Sequence, residues 1–493
     1  MRKSVIASIA VVILAGAVVA AVPLIERHAE AGIKSEIELG GTARVDEVKV
    51  GLFTRRITLL NLKSRSAVEE LNVGRWEASG LAWPIAELLA GRTPLAGFRW
   101  GDPLRADRLE LENVQIADRA TGGRWEMEAL VIDGIDLARH DAAYDGRFAF
   151  TVLTARTMGA LSVRRLEQRN ARLALPGTGE TVTLGSVVLE GYERGRIAAL
   201  SMAGLNLAAA EGQPAQLSVA ETKAAKVDFS RLITAMSSDT WFPGAPSGRV
   251  HVETAKATGF GGELLKRYGI SLGAATFQTA LVRDKVSRTR TSVEGFVMAP
   301  PLRGLEGLSL RMALQSMGLK DVKADFECYG TEDQGKGELT LDRCALVSPG
   351  LGEIELSARI VSADAHFWNA LDEGDLMALQ DSTAALGSAR LVLTDKSLLE
   401  RGLRAFATMT GQPVATLRAS WAREVRRYQP SGVLISQSMT QLLETVARFV
   451  EQGGTLVVEA KPDPPVGVDK LDYLLNPGAD LVSTLGLKAT LLK

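Results

Sequence analysis

The residues that most often carry chemistry are few and scattered in this 493-residue chain. Histidine is the commonest metal ligand and a frequent general base, but the four histidines are widely separated. None occurs in an H-E-x-x-H arrangement or at another paired helical spacing, so the sequence predicts no zinc site. The histidines are His28, His140, His251 and His366.

Two other patterns suggest chemistry at first and then fail to support it. The segment PGTGET, residues 176–181, has the glycines of a phosphate-binding loop but lacks the lysine before Thr181, so it predicts a turn. The carboxylates Glu110 and Glu112 alternate with apolar residues, which indicates a solvated strand face rather than an acid–base pair. No nucleophile elbow occurs. We therefore expect a protein that is not an enzyme and needs no cofactor.

The two cysteines, Cys328 and Cys344, lie on neighbouring strand-like runs, KADFECYG and GELTLDRCALVS, which predict a hairpin. With a turn near residues 333–335, the two cysteines would not be directly opposite each other. A disulfide is one expectation if the chain lies in an oxidising compartment. The alternative is two free thiols that pack as small apolar side chains.

The elements that would position any site are strands with a recurring irregularity. Their pattern is apolar-x-apolar-x-(Asn or Gly)-apolar, so the alternation slips by one residue, which exchanges the two faces of a strand. Asparagine and glycine tolerate the positive φ of a bulge or turn. We therefore predict bulges or strand ends within a long, bent, mostly antiparallel sheet. The slips fall at Asn61, Asn113, Gly134, Asn170, Gly191 and Gly204.

The N-terminus carries an uncharged run of 21 residues, Val5–Ile25. At 1.5 Å per residue such a helix spans about 31 Å, close to the hydrocarbon thickness of a bilayer. This length favours a transmembrane anchor over a signal peptide cleaved after Ala20 or Ala21. Arg2 and Lys3 precede the run and mostly acidic residues follow it, which predicts that the bulk of the chain lies outside the cytoplasmic membrane.

The rest of the chain divides into three regions after the anchor at residues 1–25. Residues 26–240 are β-rich and begin with a short amphipathic helix at 25–39. Residues 241–395 form a second β-rich region, and 396–493 form a helical α+β region. Further helices are expected at residues 83–91, 228–238, 260–268, 367–380, 396–411, 414–429 and 436–454.

This order of parts resembles the AsmA-like family of membrane-anchored periplasmic envelope proteins. The resemblance rests on the anchor, the short helix, the segment GGTARVDEVKVGLFTRRITLLNLKS, and the later runs ADRLELENVQI and ALVIDGIDLA. It covers roughly residues 1–210 and returns near 314–319 and 339–346. It implies a mainly β fold: an elongated, curved, groove-like antiparallel sheet behind one transmembrane helix. The helical C-terminal region departs from the long β-only members.

The resemblance implies that an apolar groove carries phospholipid between the inner and outer membranes of diderm bacteria. Apolar positions of the first repeats are the candidates for the groove. The same alternation would also line the core of a closed β-sandwich. The six candidates are Ile57, Leu59, Leu109, Leu111, Leu130 and Ile132.

We therefore expect a single-pass protein of the bacterial inner membrane, with the bulk of the chain in the periplasm, that binds or passes phospholipid and supports envelope integrity. The alternative is a scaffold that aids assembly of outer-membrane proteins without transferring lipid. In that case the C-terminal helices would bind envelope proteins. The net charge of −1 predicts no nucleic-acid partner.

Overall fold

The computed structural model divides the chain into two compact units, Met1–His251 and Val252–Lys493. The second unit contains residues 252–395 of the second predicted region together with the third predicted region, 396–493. The structure describes residues 22–492 except 67–68, 82–100, 120–121, 145, 147, 176, 211, 243–249, 284, 302–304, 376, 430–435 and 472–479.

The predicted anchor lies almost entirely outside the described residues, as does the helix expected at 83–91. Within the described part, which starts at residue 22, no helix has the length and apolarity needed to cross a membrane. The amphipathic helix expected at 25–39 is present as helix α1, residues 22–39, and ends before Gly40 as predicted.

The first unit is an antiparallel sheet in which strands β3 to β10 each pair with the next strand along the chain. Strands β1 and β2 both pair with β3. Helix α2 lies between β6 and β7, and helix α3 follows β10. The elements are β1 (Ala43–Arg44), β2 (Glu47–Gly51), β3 (Arg56–Arg65), β4 (Glu69–Ser79), β5 (Leu104–Asp118), β6 (Arg124–Leu137), α2 (Ala149–Ala160), β7 (Leu161–Ala174), β8 (Thr181–Glu193), β9 (Arg196–Ala208), β10 (Ala215–Asp228) and α3 (Ser230–Met236).

The connections between these strands use the residues that tight turns require. Strands β8 and β9 are joined by Arg194 and Gly195, with φ of 48° and 88°. A two-residue type I′ turn needs positive φ at both of these positions. The segment 177–180, from the expected PGTGET turn, likewise joins β7 to β8; residue 176 lies outside the described residues.

The backbone is left-handed at all six predicted slip positions, with φ between 44° and 68°. The register nevertheless runs through them unbroken. On either side of Asn113, Glu112 pairs with Ala129 and Val114 pairs with Met127, which is the same offset. The expectation of a bulge that adds one residue to a strand is therefore wrong here, although the expected positive φ is confirmed.

The left-handed residues are aligned across the sheet in two transverse rows. Asn61, Asn113, Asn170 and Gly204 lie in the first row, on alternate strands β3, β5, β7 and β9. Gly134, Gly191 and Lys226 lie in the second row, on β6, β8 and β10. The rows are six residues apart along a strand, as from Arg164 to Asn170 on β7.

Each left-handed residue keeps the apolar side chains before and after it on one face. Leu111 and Val114, on either side of Asn113, pack in the same cluster with Val73 and Met127. Leu111 and Val114 are three residues apart, and so are Val73 and Trp76 of the neighbouring strand β4, which belong to the same cluster. The expectation that the slip exchanges faces is therefore wrong, because the left-handed residue turns the backbone and cancels the slip in the sequence.

The strands of the second unit are also antiparallel and lie in the order β11–β13–β14–β15–β16–β17–β18–β19–β21; β12 pairs with β14, and β20 with β18. Its elements are β11 (His251–Gly261), α4 (Glu263–Tyr268), β12 (Ile270–Ser271), β13 (Ala274–Arg283), β14 (Val286–Met298), α5 (Leu305–Ser316), β15 (Val322–Asp333), β16 (Glu338–Ser348), β17 (Gly352–Val361), α6 (Ala365–Glu373), a 3₁₀ helix (Ala378–Asp381), β18 (Ala385–Asp395), α7 (Leu398–Thr410), α8 (Val414–Arg427), α9 (Gln437–Gln452), β19 (Gly454–Ala460), β20 (Val466–Gly467), α10 (Val468–Leu471), α11 (Leu481–Thr484) and β21 (Lys488–Leu492).

These elements confirm a mainly antiparallel β fold with helical insertions. The three long C-terminal helices are present as α7, α8 and α9, and the segment 339–346 lies in β16 as expected. The segment 314–319 is not a strand with a slip. It is the end of α5, and Gly318 has the positive φ of a helix C-terminus.

Cys328 lies directly opposite Cys344, and the two are joined in a disulfide. The pairing of β15 with β16 shifts by one residue between Tyr329 and Gly330, and Asp342 is the extra residue. The expectation that the cysteines are not opposite each other is therefore wrong, because the turn lies at residues 334–337 rather than at 333–335, and the bulge supplies the one remaining residue.

Replacing Asn113 tests the requirement for a left-handed backbone. We expect Asn113→Val to lower the free energy of unfolding by about 1–2 kcal/mol, since a branched side chain disfavours this conformation. Asn113→Gly should cost less than about 1 kcal/mol, because glycine adopts positive φ without strain. Urea denaturation of the purified protein measures both changes; equal stability of the two variants would contradict the requirement.

Replacing both cysteines by serine should lower the free energy of unfolding by about 3 kcal/mol, the value that chain entropy gives for a closed loop of about 15 residues. A reducing agent should destabilise the wild-type protein by a similar amount and leave the double variant unchanged. Urea denaturation with and without the reductant distinguishes these cases. A wild type that is insensitive to reductant would show that the bond does not stabilise the fold.

Candidate functional site

The six groove candidates lie on one face of the first sheet, in two adjacent transverse rows. Residues directly opposite each other on antiparallel strands project from the same face. Row one contains Ile57, Ala78, Leu109, Ile132, Leu166 and Leu189. Row two contains Leu59, Trp76, Leu111, Leu130, Gln168 and Val187.

Two further apolar rows follow on the other side of the first row of left-handed residues. Row three contains Leu62, Val73, Val114, Met127, Ala171 and Leu184. Row four contains Leu71, Ile116, Trp125, Leu173, Val182 and Leu207. We call these four rows the apolar face. The sequence did not locate rows three and four on this face, because the slip assigned them to the opposite one.

The apolar face is covered unevenly. Ile57 and Leu59 are buried in a cluster with Ala29 and Ile33 of α1, and Leu109 packs against this cluster. Leu111 and Leu130 pack against Val73, Val114 and Met127, whereas Ile132 packs against a cluster around Tyr192. In row four, by contrast, the side chains of Trp125, Leu173 and Leu207 are 38–42% exposed. The face therefore runs from a covered edge to an open one.

The opposite face of this sheet carries ion pairs within and between strands. Arg75 contacts Glu77 at 2.7 Å and Glu112 at 3.4 Å. Burial raises the pKa of Glu77, but hydrogen bonds from Arg75 and Thr58 outweigh it, so the pKa is below its usual value. The charged alternation in the sequence thus marks a polar strand face, as expected. Further ion pairs join Arg108 to Glu110 and Asp133, and Arg165 to Glu167 and Glu190.

The second unit contains an apolar pocket of about 750 Å³ that the sequence did not predict. Its floor is a transverse row of the second sheet. Its walls come from Met317 and Leu319 after α5, from Leu398 and Leu399 of α7, and from Phe449 of α9. The floor contains Val293, Phe326, Leu346, Ile354 and Leu393, which are paired in register across β14 to β18.

The polar groups at the edge of this pocket are already engaged. Glu353 forms an ion pair with Arg343 at 2.9 Å. Asp395 accepts a hydrogen bond from the backbone N–H of Leu399 at the start of α7. The Cys328–Cys344 pair lies in the next row, on the same face as Phe326. The pocket is therefore suited to a hydrocarbon group rather than to an ionic one.

The helices beside this pocket are held together by Arg426 of α8, which contacts Glu444 and Glu451 of α9, each at 2.7 Å. Hydrogen bonds from Arg426 are the largest cause that lowers the pKa of both carboxyl groups, and partial desolvation opposes them. Because both carboxyl groups lie on α9, this ion pair cluster fixes the position of the helix that carries Phe449.

We expect Arg426→Gln to destabilise the protein at pH 7 and to have a smaller effect at pH 3. A carboxyl group with a lowered pKa in the folded state stabilises the fold above its ordinary pKa of about 4.5, and this stability is lost as the pH falls through the lowered value. Thermal unfolding at the two pH values measures the difference. The matched control is Arg427→Gln, an exposed neighbour. An effect of Arg426→Gln that does not depend on pH would contradict this assignment.

A family model described as an uncharacterized protein matches residues 345–491. This range lies within the second unit and includes Leu346, Ile354, Leu393 and Phe449 of the pocket. No curated protein matches the chain. The resemblance to the AsmA-like family therefore stays a prediction from the sequence.

Proposed function

We propose that the protein is anchored in the bacterial inner membrane by its N-terminal segment and binds or passes phospholipid in the periplasm, supporting the cell envelope. In this proposal the apolar face forms a groove along an elongated, curved sheet. One observation carries the proposal: the apolar face is continuous over successive strands from β4 to β8, and Trp125, Leu173 and Leu207 of its fourth row are 38–42% exposed.

The physical basis is the transfer of lipid tails out of water. Burying apolar surface contributes about 25 cal/mol per Å², or about 0.8 kcal/mol per CH₂ group. Contiguous exposed apolar surface on a protein commonly marks a binding site for a protein, a membrane or an apolar ligand. Row four offers such a surface. The opposite face carries ion pairs and is too polar to bind the lipid tails.

The pocket of the second unit supports the same function independently. Its volume of about 750 Å³ is within the range of about 300–1,000 Å³ that ligand pockets occupy. Leu346 and Ile354 in its floor are 43% and 47% exposed, so the pocket is accessible. Both units thus present apolar side chains of an antiparallel sheet to a space that a hydrocarbon chain can fill.

A second candidate function is a scaffold that aids assembly of outer-membrane proteins. It is favoured by the side chain of Met409, near the end of α7. This residue is 71% exposed, and an exposed apolar side chain is available to contact a partner protein. Deleting residues 396–493 is not a clean test of it, because β19 and β21 belong to the sheet and the deletion would uncover the edge of β18.

Photo-crosslinking in living bacteria tests the proposed function. A benzophenone amino acid would replace Trp125 on the apolar face or its neighbour Glu126 on the opposite face, in the full-length chain. Both positions are exposed. In cells grown with radiolabelled phosphate, we expect light-dependent phospholipid adducts from position 125 and not from position 126.

Equal labelling at the two positions, or no lipid adduct at position 125, would contradict lipid binding by the apolar face. The same probe placed at Met409 distinguishes the second candidate. Protein adducts at Met409 together with no lipid adduct at position 125 would favour the scaffold.

A further inference from the structure

Row two of the apolar face runs from β3 to β8 and consists of apolar or aromatic side chains except at Gln168. The cross-strand neighbours of Gln168 are Leu130 on β6 and Val187 on β8, and Leu166 precedes it on the same face of β7. The side chain is only 6% exposed. Within the part of the chain that the structure describes, its Nε2 is buried and has no hydrogen-bond partner.

An unpaired buried donor is unusual and unfavourable. Leaving such a group unsatisfied costs about 1–3 kcal/mol, and native proteins contain few of them. A leucine at this position would continue row two without that cost. The sheet itself therefore gives no reason for a glutamine here, and a group outside the protein that accepts a hydrogen bond would supply one.

We propose that Nε2 of Gln168 donates a hydrogen bond to an ester carbonyl oxygen of a diacyl phospholipid bound on the apolar face. This inference rests on the proposed function and adds a specificity-determining residue to it. A hydrocarbon tail offers no acceptor, so Gln168 does not serve tail binding alone. The ester carbonyl is the neutral acceptor next to the tails.

The charges around Gln168 favour the ester over the phosphate group. The four rows of the apolar face contain no charged side chain between β3 and β8. A buried phosphate would need a cation or several donors, because burying an unpaired charge is costly. The neutral amide NH₂ of Gln168 suits the neutral carbonyl oxygens of the two ester groups, and the acyl chains can lie on the rows to either side.

The test compares an ester-linked phospholipid with its ether-linked analogue, which has the same head group and tails but lacks the carbonyl oxygens. The full-length protein in detergent would be titrated with fluorescent forms of each lipid. We expect the wild type to bind the ester-linked lipid about three- to tenfold more tightly, the effect of one hydrogen bond.

Gln168→Met, which keeps the length of the side chain, and Gln168→Leu both remove the donor. We expect each variant to bind the two lipids equally, with unchanged affinity for the ether-linked lipid and no loss of thermal stability. Gln115→Leu, on the exposed opposite face of β5, is the matched control and should keep the wild-type preference.

Binding of both lipids by the wild type without a preference would overturn the role of Gln168 and leave lipid binding intact. Equal loss of both lipids together with lower thermal stability in both variants would show that Gln168 is structural, and would also overturn the proposal. If the wild type binds neither lipid, the proposed function itself fails, which distinguishes the two failures.

Discussion

The structure of the first unit depends on left-handed residues that are aligned from strand to strand. Side chains of a strand alternate between faces, so a single slip in the sequence would move every later apolar residue into the polar face. Residues with positive φ on alternate strands of each row reverse that exchange. Because neighbouring strands share a register, such residues must fall in common transverse rows, and they do. Asparagine and glycine predominate there since they tolerate this backbone most readily.

The second unit also has left-handed glycines within its strands, Gly259 and Gly295, each with a φ of 68°, and it has bulges in addition. Its strands shift register at true bulges, for example between Val293 and Phe296 and between Leu341 and Cys344. One of these bulges, at Asp342, also brings Cys328 opposite Cys344. In both units the result is a sheet with one apolar face that helices cover in part: α1 in the first unit, and α5, α7 and α9 around the pocket of the second.

Partial cover is the property that connects this architecture to a function. A fully covered apolar face would be an ordinary core, and a polar face would need no cover. Here the covered part provides stability, whereas row four and the pocket leave apolar surface accessible. Such surfaces bind hydrocarbon without regard to its orientation, because hydrophobic burial is not directional. Among the described residues of the apolar face, Gln168 has a buried side-chain nitrogen without a hydrogen-bond partner, and we propose that this group gives a bound ligand a preferred position.

The sequence by itself determined the features that depend on residues a few positions apart: the strands, the left-handed sites such as Asn113 and Gly191, and the helices α7 to α9. It also predicted that Leu59 and Leu111 lie on a common face, because each lies two residues before the asparagine of the same short pattern. Only the tertiary structure decided that Val114 stays on that face, that Cys344 meets Cys328, and that Phe449 closes a pocket over Phe326. These outcomes depend on strand register and on helix packing between distant segments, and no local pattern encodes either.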